Sequence, residues 1–228
     1  MHQRKLFEHA LVNRVNVQRV VVDDKRLYRT PNGDLYPSVT TVLSSMSKKG
    51  IQEWKESVGD EKAKKILTQS STRGTAVHSI CERYLLNESN YIQGSMPSNV
   101  SLFKQLQPYM DKYIGKVYGI EIPLYSEALK SAGTCDLFCQ FHGINAVVDF
   151  KTSTKAKDEK FIENYFYQAT AYAIMIEEIY NVVVPNIGLL IAVEDDNMQV
   201  FLKHTSDYRK SVVSFFKEYS CNNSPEPL

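Results

Sequence analysis

The sequence is poor in the features that mark several common protein classes. Among 228 residues there are four cysteines and no CxxC pair: Cys81, Cys135, Cys139 and Cys221. This spacing argues against a zinc ribbon, and we expect reduced, mostly buried thiols in an intracellular protein. Lys and Arg (27) nearly balance Asp and Glu (26), so the net charge is only +1. A polyanionic partner must therefore be held by local basic clusters or a bound cation.

Long apolar runs are also missing. The longest uncharged apolar stretches, residues 182–184 and 187–193, have the length of strands, so we expect no membrane-spanning segment. The first residues lack the apolar stretch of a secretory signal. Arg4, Lys5 and Arg14 weakly resemble a mitochondrial presequence, but they lead directly into a predicted hairpin. We therefore expect a cytoplasmic rather than a mitochondrial location.

The composition and the order of apolar patterns predict the fold class. With 43% hydrophobic and 23% charged residues, the chain fits one globular domain over residues 1–228. Helical spacing dominates a front part at about 37–115, including a helix at 74–86, and strands dominate about 117–219. The predicted order in this second part is strands at 119–126, 133–141 and 144–152, a helix at 161–180, strands at 187–194 and 198–204, and a helix at 207–219. This order describes an α/β sandwich with a mixed sheet.

Two acidic residues and a lysine fall in neighbouring predicted strands. Asp136 follows a small Ala-Gly-Thr entry, and thirteen positions later (149 − 136) Asp149 ends the apolar run 144–148. Lys151 points to the same strand face as Asp149. Charges alternating along a surface strand give the same Asp-x-Lys pattern, but a carboxylate at the end of a buried strand is costly without a cation. Two carboxylates and a lysine can hold a divalent metal and activate water against a phosphodiester.

A helical histidine provides a further candidate ligand. His78 and Glu82 are four residues apart and share a helix face, which is commonly a structural pairing. Beside an acidic metal site, His78 becomes a metal ligand and Glu82 its partner or another ligand. Arg73 precedes the helix predicted at 74–86, so we expect it near a helix N-terminus, where phosphate binds readily.

Gln168 and Tyr172 lie four apart on the predicted helix 161–180, on a face distinct from its apolar one. The simpler interpretation is that they border the buried face. The functional interpretation is that Gln168 orders the site, while Tyr172 contacts a base or phosphate.

Together these residues resemble the PD-(D/E)XK nuclease superfamily, and within it the RecB-type branch. The wider motifs look like the exonucleases of tailed bacteriophages, which are similar to the mitochondrial genome maintenance exonuclease. The resemblance covers about residues 17–204. The motifs that carry it are residues 36–43 (YPSVTTVL), 73–78 (RGTAVH), 132–136 (AGTCD), 148–153 (VDFKTS) and 163–172 (ENYFYQATAY).

The resemblance implies a restriction-endonuclease-like αβα sandwich and a role for each matching residue. Asp136, Asp149, the Phe150 carbonyl and His78 would ligate one or two Mg²⁺ or Mn²⁺ ions, and Lys151 would be the catalytic lysine. Many members carry Glu where this chain has Asp149. The shorter side chain would change the metal spacing, although Asp also occurs at this position in the branch. Some relatives hold an iron–sulfur cluster through three cysteines after the Gln-x-x-x-Tyr helix. Only Cys221 follows it here, so we expect no cluster.

We expect a monomeric exonuclease that hydrolyses DNA from single-stranded ends in phage replication, recombination or repair, with proteins of those processes as further partners. The alternatives are a flap or junction endonuclease and an inactive nuclease fold that only binds DNA. The lysines expected to guide the strand are Lys48, Lys49, Lys62, Lys64 and Lys65, although such runs are commonly solvated helix faces. The aromatic residues expected to stack on bases are Trp54, Tyr84, Tyr91 and Tyr109.

Overall fold

A small antiparallel sheet opens the fold. The computed structural model describes residues 4–22, 25–194 and 197–223, apart from the side chains of Lys25 and Lys49. Strands β1 (Gln18–Val22), β2 (Lys25–Arg29) and β3 (Leu35–Pro37) pair in chain order. A turn over residues 31–33, with Gly33 at φ 93°, joins β2 to β3. Glycine suits this turn because it adopts a left-handed backbone without strain.

Four helices follow: α1 (Val39–Ser44), α2 (Lys48–Val58), α3 (Asp60–Leu85) and α4 (Pro97–Tyr113). Helix α1 begins where the Ser38 hydroxyl accepts a hydrogen bond from the Thr41 amide at 3.0 Å, which satisfies an amide that has no partner within the helix. Helix α4 has Pro97 in its first turn, where the missing N–H costs nothing.

Helix α3 corrects one expectation. It is a single helix of 26 residues that continues through Gly74, so Arg73 lies in its middle and not at an N-terminus. A glycine inside a helix costs only about 1 kcal/mol relative to alanine. Burial of Val77, Ile80 and Tyr84 on the same helix outweighs that cost.

The second half forms a five-stranded mixed sheet. Its strands are β4 (Ile114–Ser126), β5 (Ser131–Phe141), β6 (Ile144–Ser153), β7 (Asn186–Val193) and β8 (Gln199–His204). They lie in chain order, and only β6 and β7 pair in parallel. Helix α5 (Glu163–Tyr180) makes the crossover between those two strands, and α6 (Thr205–Asn223) closes the described chain.

Helices cover both faces of this sheet. One core joins Val77, Ile80 and Leu106 of α3 and α4 to strand residues such as Val148. The other joins α5, α6 and α1 to the opposite face, around Val147. Val147 and Val148 are adjacent in β6 and belong to different cores, because successive side chains of a strand point to opposite faces. The predicted αβα sandwich with a mixed sheet and a helical front half is confirmed.

The segment before β1 was not predicted to pack, yet it runs along β4. The amides of Ala10 and Val12 donate to the Val117 and Tyr118 carbonyls, both at 2.8 Å. Phe7 is 4% exposed, and Arg4 lies over the rings of Tyr84 and Tyr91. The segment thereby covers part of the free edge of β4, which would otherwise expose unpaired backbone groups.

In the part of the chain that the structure describes, no helix combines the length and the apolar character needed to cross a bilayer.

Candidate active site

Strand register brings three carboxylates into one row across the sheet. Glu121 of β4 lies between the pairs Ile120–Leu137 and Ile122–Cys135, and is therefore opposite Asp136 of β5. The last pair of the antiparallel β5–β6 ladder is Leu137–Val148. Asp136, just before Leu137, and Asp149, just after Val148, lie at the next position beyond that pair. Asp136 Oδ2 accepts a hydrogen bond from the Phe150 amide at 2.9 Å. Carboxylates that are distant in sequence are thus neighbours in the sheet.

The three carboxylates and the polar side chains around them form two groups. The first group lies on the side of helix α3. We call His78, Glu121 and Asp136 the open group. One ligand atom from each lies within 4.8 Å of the other two, and His78 Nδ1 is 3.5 Å from Asp136 Oδ2. His78 and Glu121 line a cleft of about 480 Å³ together with Gly74, Thr75, Ser79 and Glu82. These donors face a space that solvent or a ligand can enter.

Electrostatic crowding is strongest at Glu121. Its pKa is raised to about 8, mainly by burial and then by Asp136, Glu82 and Asp149, against an opposing effect of Arg14. Its backbone is left-handed, with φ 46°, a conformation that costs non-glycine residues about 1–3 kcal/mol. A strained and crowded carboxyl at the edge of a cleft is a common feature of functional sites.

The second group lies toward α5. We call Asp149, Lys151 and Gln168 the buried group. The Asp149 side chain is 1% exposed and forms an ion pair with Lys151, and its Oδ1 accepts from Gln168 Nε2 at 3.1 Å. Burial raises the Asp149 pKa to about 6, although Lys151 opposes this effect. Asp149 is therefore held in place from two sides.

Lys151 keeps its charge in these surroundings. Burial alone lowers its pKa, but Asp149 and Asp136 raise it, and the net shift is upward. The ammonium Nζ also lies 5.3 Å from the centre of the Tyr165 ring, a cation–π arrangement. Lys151 is thus a fixed cation and hydrogen-bond donor beside the carboxylates.

Tyr172 lies beneath the site and away from solvent. Its side chain is 3% exposed, and burial raises its pKa well above the usual value, with Asp136 adding to the shift. A Cβ atom on Gly133 would come within 2.8 Å of the Tyr172 Oη. Tyr172 therefore packs on the entry to β5, three residues before Asp136, and in this structure it does not present a surface to a base.

Arg73 and Glu82 flank the open group. Arg73 forms an ion pair with Glu194 at 2.7 Å and donates to Thr152 Oγ1 at 3.3 Å. Glu82 lines the cleft beside His78. Arg73 thus contacts the residue that follows Lys151, in the middle of α3 and not at a helix end.

One expectation about nucleic-acid contacts changes. Tyr84 is fully buried and donates to Asp111 at 2.6 Å, so its predicted stacking on a base is wrong. Trp54, Tyr91 and Tyr109 are half-buried. The lysines at 48, 62, 64 and 65 are exposed on α2 and α3, and the side chain of Lys49 lies outside the described residues.

Sequence reasoning missed Glu121 and Tyr165. Glu121 stands between Ile120 and Ile122 in a predicted strand, which is the same signal that singled out Asp149. Its place opposite Asp136 depends on strand register, which the pattern along one strand does not give. Tyr165 is three residues before Gln168, and only the crossover geometry sets it over Lys151.

The donor set fits a hard divalent cation. Carboxylate oxygens suit Mg²⁺ and Mn²⁺, and imidazole nitrogen is acceptable to Mn²⁺. Glu121, Asp136 and His78 lie close enough for their donor atoms to surround one ion, since such ions bind ligands at about 2.0–2.6 Å. A cation there would also relieve the crowding that raises the Glu121 pKa.

Comparison with known proteins gives a distant likeness. No protein-family model matches the sequence, and no curated protein is significantly similar to it. Among solved structures, the chain is similar to a crystal structure of a proposed exonuclease from Eubacterium rectale, with 14% identity and a TM-score of 0.43 over 68% of this chain and 70% of the other. A likeness this distant identifies no activity, so function is argued from the residues of the site.

Proposed function

We propose that this protein is a metal-dependent deoxyribonuclease of the PD-(D/E)XK type, of the RecB-like branch, that hydrolyses phosphodiester bonds from single-stranded DNA ends. The observation that carries the proposal is the row Glu121–Asp136–Asp149 across three strands, with Lys151 charged beside it. Carboxylates that converge with one lysine at the end of a buried strand match the chemistry of phosphodiester hydrolysis.

The metal ligands of this proposal are Glu121, Asp136 and His78, joined by Asp149 and by the Phe150 carbonyl that the resemblance implies. A Mg²⁺ or Mn²⁺ ion held by these residues would supply positive charge at the phosphate and make water at the site easier to deprotonate. The Phe150 amide fixes the Asp136 carboxylate by donating to its Oδ2. The orientation of that ligand is therefore set before any ion arrives.

The chain's own catalytic group is Lys151. Its ammonium lies against Asp149 and stays protonated because its pKa is raised. It acts as a hydrogen-bond donor that orients the attacking water and offsets negative charge on the phosphate in the transition state. Gln168 holds Asp149 from the other side, while Tyr172 and Gly133 set the position of β5.

A near-neutral molecule favours a single strand as the substrate. The net charge of +1 provides no broad positive field for duplex DNA, whereas one strand can be held by few contacts. From the family resemblance we propose a role in phage DNA replication, recombination or repair, in the host cytoplasm. We further propose that the protein acts as a monomer, with Arg73 and Glu82 supporting the site.

The test is cleavage of end-labelled linear and closed circular single-stranded DNA in Mg²⁺ or Mn²⁺. We expect the wild type to degrade the linear strand only, and Lys151→Ala to reduce the rate by roughly 10²–10⁴-fold. Lys130→Ala is the matched control, because Lys130 lies on the surface with its side chain 53% exposed. Metal-dependent cleavage that survives unchanged in Lys151→Ala excludes the mechanism, and cleavage of the circle identifies an endonuclease instead.

A further inference from the structure

The loop between β6 and α5 has features that the hydrolysis itself does not use. This β6–α5 loop, residues 154–161, starts three positions after Lys151 and ends in a short 3₁₀ turn, Glu159–Phe161. It contains Lys155, Lys157 and Lys160, and Phe161 is 75% exposed. An exposed aromatic side chain among lysines offers both a stacking surface and positive charge, the combination that single-stranded nucleic acid binds. The position of the loop beside the site suggests which ligand it binds.

The loop connects the strand of Lys151 to the helix whose Tyr165 ring lies against that lysine. Lys151 Nζ is 5.3 Å from the Tyr165 ring centre. Phe161 precedes Tyr165 by four residues and ends the 3₁₀ turn that leads into α5. Tyr165 is half-buried and Phe161 is exposed. The loop that joins Lys151 to Tyr165 therefore carries an exposed aromatic ring of its own.

Side-chain hydrogen bonds hold the loop's backbone in place. Ser153 Oγ donates to the Lys155 carbonyl at 2.6 Å. Gln199 of β8 accepts from the Lys157 amide at 2.7 Å and donates to the Lys157 carbonyl at 2.9 Å. Both lysines are exposed, so their positions are fixed by their backbone and not by contacts of their ammonium groups. A surface ordered in advance loses little entropy on binding.

The loop's negative charges are already paired. Asp158 forms an ion pair with Lys160 at 2.9 Å, and Glu159 pairs with Lys203 at 2.5 Å. Lys160 also lies 4.9 Å from the centre of the Phe161 ring. Among the described residues, no carboxylate forms an ion pair with Lys155 or Lys157. These two lysines are therefore available to an anionic ligand.

We infer that the β6–α5 loop is the binding surface for the single strand next to the cleavage site, with Phe161 stacking on a base and Lys155 and Lys157 contacting phosphates. The inference rests on the proposed nuclease function and adds the residues that position its substrate. Stacking on an aromatic ring is tolerant of sequence, so the loop would hold any single strand. A duplex keeps its bases stacked on each other and gains less from Phe161.

The test is fluorescence anisotropy with a short, labelled oligothymidylate whose phosphorothioate backbone resists hydrolysis, in Mg²⁺. We expect Phe161→Ala to weaken binding roughly five- to hundred-fold and Phe161→Trp to retain it. We expect Lys155→Ala/Lys157→Ala to lower the slope of log affinity against log salt by about 1.4, from about 0.7 per phosphate contact. Val183→Ala, at a side chain 72% exposed, and Lys210→Ala/Lys217→Ala, on exposed lysines of α6, are the matched controls.

An abasic nucleotide moved along the oligonucleotide locates the stacked base. At one position it should weaken wild-type binding as much as Phe161→Ala does, with no further loss when both changes are combined. Unchanged binding in both loop variants, or no binding by the wild type, overturns the inference. If the loop variants bind and cleave as the wild type does, only this inference fails. If the wild type binds through the loop but never cleaves, only the proposed function fails.

Discussion

The open group and the buried group share one row of the sheet but differ in what surrounds them. Asp149 of the buried group is 1% exposed and is held by Lys151 and Gln168. Glu121 of the open group faces a cleft, and three other carboxylates raise its pKa. The Asp149 carboxylate is therefore balanced by side chains of the protein itself, whereas the open group brings together mutually repelling donors that suit a divalent cation.

The largest expected effect comes from breaking the buried pair. Asp149→Asn leaves the Lys151 ammonium without its counter-charge, so we expect a loss of about 3–5 kcal/mol in the free energy of unfolding, measured by urea denaturation in EDTA. Adding Lys151→Met to Asp149→Asn should recover most of it. Asp158→Asn is the control, because the Asp158–Lys160 pair is at least half exposed and should contribute less than about 1 kcal/mol. Equal losses of unfolding free energy in Asp149→Asn and Asp158→Asn would show that the buried ion pair contributes no more than an exposed one.

A smaller effect is expected where Tyr172 supports β5. The Cβ atom of Gly133→Ala would lie 2.8 Å from the Tyr172 Oη and 3.0 Å from its Cε1. Overpacking of this kind costs about 1–3 kcal/mol, and it should also slow cleavage because Asp136 lies on the same strand. Tyr172→Phe removes the nearer atom and should relieve part of the cost in the double variant. The control is Gly50→Ala in α2, which has open space and should be neutral or slightly stabilising. Thermal unfolding and cleavage rates that match wild type in Gly133→Ala would contradict the assigned packing.

The smallest expected effect is a pH dependence of stability that comes from Glu121 of the open group. The Glu121 pKa is about 8 in the folded state, against an ordinary 4.5. The folded protein therefore binds more protons than the unfolded one between those values, and stability falls as pH rises through this range. Glu121→Gln removes this loss, so we expect it to gain on the order of 1 kcal/mol over wild type at pH 9, after allowing for the solvent that reaches this side chain.

The measurement is thermal unfolding against pH in EDTA, with Glu127→Gln as a control of opposite sign. A hydrogen bond from Tyr36 lowers the Glu127 pKa, so that variant should lose stability relative to wild type at neutral and higher pH. In a second series, without EDTA, Mn²⁺ should stabilise the wild type above pH 8, and stabilise Glu121→Gln much less. Wild-type and Glu121→Gln curves that stay parallel in EDTA would contradict the raised Glu121 pKa, and equal stabilisation of both by Mn²⁺ would remove Glu121 from the metal site.

Much of this fold was predictable because the chain's local patterns agree with it. The switch from helical to strand spacing near residue 115 matches the start of β4 at Ile114. The strands predicted at 133–141 and 144–152 leave only His142 and Gly143 between them, and both adopt the left-handed backbone of a two-residue hairpin turn, at φ 51° and 81°. The metal dependence, the substrate and the division of the chain as one nuclease domain stay predictions.

The sequence by itself determined which side chains share a face. Asp149 and Lys151 are two apart in a strand, and Gln168 and Tyr172 are four apart in a helix. The periods of a strand and of a helix place the two members of each pair on the same face. Only the tertiary structure decided that Glu121 joins Asp136, that Tyr172 is buried, that Arg73 lies within a long helix, and that the first residues run along β4. These features depend on strand register and on packing between segments far apart in the chain. The pattern of residues within one segment determines neither.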